Sequence, residues 1–95
     1  MEKSIHSKEY ALFLQLLRAI REESQLTQEE AASRLDETQS FISKCERGER
    51  RLDVIELRAW CKALGVHSVE FMQRLEEILG NRPLGFSPKP PILDQ

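Results

Sequence analysis

The stretch Leu26-Thr27-Gln28-Glu29-Glu30-Ala31-Ala32-Ser33-Arg34-Leu35-Asp36-Glu37-Thr38-Gln39-Ser40-Phe41-Ile42-Ser43-Lys44-Cys45-Glu46-Arg47-Gly48 carries two helix starts in close succession. Thr27 can cap a helix, and Glu30 three residues on completes a capping box. Leu26 is placed to staple onto Ala31. That helix ends near Leu35. After the break Asp36-Glu37-Thr38, Thr38 caps a second short helix over about Gln39–Arg47, which Gly48 closes. Ala31 and Ala32 are small enough to let the two helices approach where they cross. Ile42 and Cys45, three apart, turn inward. Gln39, Ser40, Ser43 and Lys44 then fall on the outward side, where they can donate and accept hydrogen bonds. A short helix laid across another, polar on its free edge, has the shape a DNA major groove admits. Gln39 is suited to bidentate contact with adenine, and Lys44 to guanine acceptors.

The flanking sequence follows the same grammar. A helix over about Ser7–Glu23 carries the stripe Phe13, Leu16, Leu17 and Ile20. Another is capped by Asp53, with Glu56 three residues on, and is stopped by Gly65. Val54, Leu57, Trp60, Cys61 and Leu64 form its expected buried face. A last helix starts at His67 or Ser68 and ends at Leu79-Gly80. No segment alternates as a strand does. The reading is an all-α domain of five helices over residues 1–80. Over residues 81–95, Arg82-Pro83, Pro88 and Pro90-Pro91 rule out helix and leave an extended, Pro-rich tail. Its apolar members, among them Leu84 and Phe86, point to packing against something.

Composition bounds the function. Ninety-five residues make one domain, which buries only about 60–65% of its unfolded surface. That leaves little room for a deep active-site cleft. With 40% hydrophobic and 32% charged residues, the chain reads as an ordinary globular domain. The net charge of −2 hides an uneven distribution. Residues 38–52 are net +2, through Lys44, Arg47, Arg50 and Arg51, while the segments before and after are net −3 and −1. Attraction to phosphate acts locally over about 8 Å, so one positive face suffices. No apolar run approaches a membrane span, and the first residues lack a signal-peptide apolar region, so a cytoplasmic, nucleoid-associated protein is expected. Cys45 and Cys61 form no Cys-x-x-Cys pair, and His6 and His67 lie far apart, so neither a metal nor another cofactor is expected. The Glu22-Glu23, Glu29-Glu30 and Glu76-Glu77 pairs diverge by about 100° on a helix and cannot act as an acid/base couple. With no nucleophile or phosphate-cradling glycine loop, the chain does not read as an enzyme.

The run from Leu26 to Ala32, the run from Gln39 to Arg51 and the segment Lys62-Ala63-Leu64-Gly65-Val66 closely resemble the phage-repressor-like (XRE, Cro-type) helix-turn-helix family. The resemblance covers about residues 13–75. It implies a lambda-repressor-like five-helix fold whose second and third helices form the reading unit. It also implies a phosphate contact for Gln28 and base reading by Gln39, Ser40 and Lys44, with Thr38 and Ser43 at the edge of that surface. Arg47, Arg50 and Arg51 match phosphate-contacting positions. Arg21 and Glu46 match a partly buried ion pair that fastens the first helix to the reading helix. Two positions depart from the family. Asp36 stands where glycine is usual, and Asp tolerates the left-handed conformation better than most residues. Glu37 stands where an aliphatic residue is usual, which removes a core contact and brings negative charge toward DNA.

Plainer roles stand beside these. The outward edge of the reading helix could be a solvated face, and the arginines could pair with Glu46 and Glu49. Phe41 either touches the DNA or packs on a neighbouring helix. Cys45, Cys61 and Trp60 read as core, and the two histidines as local caps or surface residues. One such module contacts too few bases to select a genomic site, so a palindromic double-stranded operator and a homodimer are expected. The last helix has two apolar stripes, Val69, Met72, Leu75 and Leu79 on one and Phe71 and Ile78 on the other. The dimer contact expected from them comprises Phe71, Leu75 and Ile78, with Leu84 and Phe86 of the tail. Repression by occlusion follows as the expected activity. The competing reading is an antitoxin or adaptor that binds a protein partner, with the tail as its arm.

Overall fold

The computed structural model describes residues 3–80, with side chains from Lys8 onward. Five α-helices follow in order: α1 Lys3–Glu23, α2 Gln28–Leu35, α3 Gln39–Glu46, α4 Val54–Leu64 and α5 Ser68–Leu79. No strand occurs among the described residues. α1 starts before Ser7, since Lys3-Ser4-Ile5-His6 holds no glycine or proline to stop it. The 81–95 tail lies outside the described residues.

The caps form as the local sequence dictates. Thr27 and Asp53 each accept from the backbone N–H three residues on, and Glu30 and Glu56 return the bond to the cap residue's N–H. Thr38 caps α3 by accepting from Phe41 N–H at 3.1 Å. His67 precedes α5 but makes no side-chain cap bond. Asp36 closes α2 in the left-handed region (φ 60°, ψ 42°), where the family resemblance places glycine. Glu37 N–H then reaches back 2.8 Å to the carbonyl of Ala32, which satisfies an end carbonyl of the helix. Gln25 also adopts a positive φ of 62° as the chain leaves α1.

All five helices contribute to the core. Phe13, Leu16, Leu17 and Ile20 of α1 pack with Ala31 and Ala32 of α2, Ile42 and Cys45 of α3, Leu57, Trp60, Cys61 and Leu64 of α4, and Phe71 of α5. The two alanines are buried, so the α2 backbone sits close to its neighbours. Polar ties fix the helices in place. Arg74 of α5 bonds both carboxylate oxygens of Glu23 at 2.9 Å. Arg34 donates to the carbonyl of Ala63 at the end of α4. Tyr10 Oη accepts from the N–H of Leu52, which anchors the loop after α3 to α1.

Two expectations about apolar residues are corrected. Val54 is 72% exposed rather than part of the buried face of α4. As the first residue of the helix it stands at the rim of an open groove, beside Tyr10 and Phe13 of α1, and not under a covering helix. Phe71 is 1% exposed and meets the Phe13 ring edge-on at 5.8 Å, so it belongs to this core and is not free for a partner. Leu75 also packs against the core, whereas Val69, Met72 and Ile78 remain exposed. Helical period alone fixes which residues share a stripe, not which stripe faces inward.

Candidate nucleic-acid interface

Ile42 and Cys45 of α3 are both 0% exposed, so they turn that helix's opposite edge outward. Gln39, Ser40 and Lys44 are exposed on it, and Ser43 is half-buried beside them. Helix capping leaves Thr38, at the N-terminal end of this edge, with a hydroxyl proton it can still donate, because its oxygen acts as the acceptor. Glu37 is exposed immediately before it, so the missing aliphatic contact leaves no buried charge.

Behind this edge runs a hydrogen-bond relay that begins in the core. Arg21 donates from Nε to Glu46 Oε2 at 2.6 Å and from Nη2 to Oε1 at 3.1 Å, with the two side chains only 9% and 5% exposed. Its Nη1 is satisfied by the carbonyl of Leu26 at 2.8 Å. The hydrogen bonds to Glu46, followed by its charge, raise the Arg21 pKa further above its ordinary value despite burial. Glu46 Oε1 also accepts from Gln28 Nε2 at 3.0 Å, and Gln28 Oε1 accepts from Gln39 Nε2 at 2.6 Å. The relay holds Gln39 against the start of α2 and uses one of its two amide protons. The other proton and the carbonyl oxygen remain, which is the donor–acceptor pair that the adenine edge requires.

The cationic residues after α3 have protein partners of their own. Arg47 donates to the Ser43 hydroxyl and, at 3.0 Å, to Glu49. Arg50 makes a two-pronged contact with Glu56, at 2.9 and 2.7 Å, and lies 5.1 Å over the Phe41 ring. Arg51 lies 4.1 Å over the ring of Tyr10. The Arg50 guanidinium, aided by the N–H of Asp53, holds the Glu56 carboxyl down at about 2. These contacts position the arginines in low-entropy arrangements beside α3. All three keep exposed surface, with 54% of the Arg47 side chain and 43% of that of Arg50 open to solvent. Phe41 packs against the core, 6.3 Å from Trp60, which supports its packing role.

Tyr10 and Glu56, which set the two loop arginines, were not identified as site residues by sequence. Glu56 reads locally as a cap partner, and Tyr10 lies 42 positions from the loop it holds, so neither gave a signal. Gly48 closes α3 at φ 84°, and a Cβ there would stand 3.0 Å from Leu14 Cδ1, so the turn that delivers these arginines needs glycine. Both cysteines are buried, and desolvation pushes the Cys45 thiol up to about 11 and raises that of Cys61. They act as small apolar side chains. Among the described residues no cluster of three His, Cys, Asp or Glu side chains could hold a metal, and no helix is long and apolar enough to cross a membrane.

Of the residues expected to join two copies, Phe71 is core and Leu75 half-buried. Ile78 is 42% exposed, and Leu84 and Phe86 lie outside the described residues.

Two short helices joined through a left-handed aspartate, the second polar and exposed along one edge, define a helix-turn-helix. The helix-turn-helix family model matches residues 17–71. An uncharacterized HTH-type transcriptional regulator of Sinorhizobium fredii is 41% identical over 58 residues, 61% of this chain and 75% of the relative. A solved XRE-family-like protein from Pseudomonas syringae pv. tomato superposes with a TM-score of 0.76 at 41% identity, covering 82% of this chain and 95% of its own. The chain belongs to the XRE-type helix-turn-helix family of DNA-binding transcriptional regulators.

Proposed function

We propose that the chain is a repressor that binds a two-fold symmetric duplex operator as a homodimer, with α3 of each copy in a major groove. The observation that carries this reading is the outward edge of α3, where Gln39, Ser40 and Lys44 stand exposed while Ile42 and Cys45 anchor the opposite face in the core. Gln39 reads adenine through its free amide proton and carbonyl, Lys44 reads guanine acceptors, and Ser40 and Ser43 complete the reading edge. Thr38, Gln28, Arg47, Arg50 and Arg51 contact phosphate. For Gln28 and Thr38 the N-terminal ends of α2 and α3 add their positive dipole.

Dimerisation brings two reading helices to the spacing of about 34–36 Å that separates adjacent major-groove faces. Its surface on this chain is the apolar area where the starts of α4 and α5 meet, with Val54, Ile55 and Val69 each about 70% exposed and Met72 42% exposed. Ile78 lies further along α5. Repression follows by occlusion of the promoter.

Selection of bound fragments from random duplex DNA tests the proposal. It should return an inverted repeat whose half-sites lie about one helical turn apart. Recovery of no sequence by the folded chain, or of single asymmetric sites bound by a monomer, would overturn it.

A further inference from the structure

An open apolar groove of about 450 Å³ runs between α1, the start of α4 and the end of α5. Tyr10, Phe13, Leu57, Leu75 and Leu79 line it, together with the exposed carboxylates of Glu9 and Asp53. It lies on the flank of the domain, away from the outward edge of α3; of the residues proposed to contact DNA, Arg51 alone borders it. We infer that this groove is the docking site of the chain's own segment Leu84-Gly85-Phe86.

Three observations converge on that occupant. The first is position. Leu75 and Leu79 stand one turn apart on the same face of α5, and Leu79 is both a lining residue and the last residue of the helix. The chain therefore leaves α5 at the edge of the groove, and the four Cα-to-Cα steps from Gly80 to Leu84 span at most about 14 Å. The second is pattern. Pro83 and Pro88 bar a helix between them. Residues two apart share a side of any extended chain, so the spacing of Leu84 and Phe86 suits joint insertion, with Gly85 carrying no side chain between them. The third is charge. Arg82 leads the segment, and the groove lining carries two carboxylates, Glu9 and Asp53, against one guanidinium, Arg51, which is held over the Tyr10 ring. A volume of about 450 Å³ lies within the range of sites that hold whole small ligands, so it has room for a leucine and a phenylalanine side chain.

Nuclear Overhauser contacts in the full-length chain test this. Phe86 ring protons should show contacts to the methyls of Leu57, Leu75 and Leu79 and to the Tyr10 ring. In a mixture of labelled and unlabelled chains these contacts should be intramolecular. Absence of the contacts overturns the proposal. Contacts seen only between chains also overturn it, because they place a partner's tail in the groove. A second measurement uses Leu84→Asp, which changes none of the core residues of the five helices and leaves the Phe86–Ser87 bond intact. Chymotryptic cleavage at that bond should accelerate about tenfold or more in the variant, since docking hides it in the parent chain. Equal rates in the two proteins would contradict docking. Neither readout involves DNA, so its outcome is separate from that of operator selection.

Discussion

Glu46→Ala isolates the interaction that ties the reading helix to the body of the domain. In the native chain the Glu46 carboxylate takes two hydrogen bonds from Arg21, at 2.6 and 3.1 Å, with both side chains less than a tenth exposed. Truncation leaves the guanidinium buried with the Leu26 carbonyl at 2.8 Å as its remaining protein partner. Arginine cannot relieve the cost by losing its proton. Breaking one side of a buried pair of this kind costs about 3–5 kcal/mol. Small domains hold only about 5–15 kcal/mol in total, so the loss is a large share of the stability. At about 4–8 °C per kcal/mol for a domain of this size, the melting temperature should fall by at least about 12 °C. Urea unfolding followed by Trp60 fluorescence and helical circular dichroism measures the change, since Trp60 is 1% exposed in the folded chain. The double variant Arg21→Met, Glu46→Leu should recover most of the loss, because it removes both buried charges together. The reasoning fails if Glu46→Ala costs less than about 1 kcal/mol, the range of a surface pair. It fails equally if the double variant is no more stable than the single.

Other expectations follow from neighbouring geometry. Lys44→Ala should weaken operator binding by about 1–3 kcal/mol and relax selectivity at one base pair, whereas Arg51→Ala should weaken binding to all sequences and flatten the salt dependence; fluorescence anisotropy across a salt series separates the two. Glu56 has its pKa lowered to about 2, so its pairing with Arg50 stabilises the fold above the ordinary value of 4.5 and is lost as pH falls toward 2. The stability gap between the parent chain and Glu56→Gln should therefore be open at pH 6 and close by pH 2, and a gap independent of pH would contradict the assignment. Gly48→Ala combines a left-handed backbone with a Cβ 3.0 Å from Leu14, while Gly65→Ala meets the same backbone constraint (φ 83°) with nothing within 4 Å. Thermal unfolding should show a cost of about 1–2 kcal/mol for Gly65→Ala and a larger one for Gly48→Ala.

The features legible in the sequence were the local ones. A capping box is read from four consecutive residues, and the boxes at Thr27–Glu30 and Asp53–Glu56 both form. The turn at Asp36 was legible for the same reason, since aspartate is among the few residues that enter the left-handed region at modest cost. Gln25 enters it too, without the glycine or asparagine that would have announced a helix stop. The reading edge of α3 followed from the spacing of Ile42 and Cys45, and the pairing of Arg21 with Glu46 from the family resemblance. What stayed hidden depended on contacts across the fold. Gln28 and Gln39 are bonded only because α2 and α3 cross where they do. Arg51 finds Tyr10 only once the loop folds over α1. The mistaken roles of Val54 and Phe71 have one cause, which is that helical period groups residues into stripes but does not show which positions a neighbouring helix covers.

Chemical protection of a selected operator offers the sharpest comparison with the proposed docking of α3. Guanine N7 lies in the major groove, and dimethyl sulfate methylates it unless a side chain covers it. The bound chain should protect guanines in two patches about one helical turn apart, and Lys44→Ala should lose protection at one guanine in each patch while remaining folded. Undiminished methylation throughout the bound site, or a protection pattern unchanged by Lys44→Ala, would contradict major-groove reading by this helix.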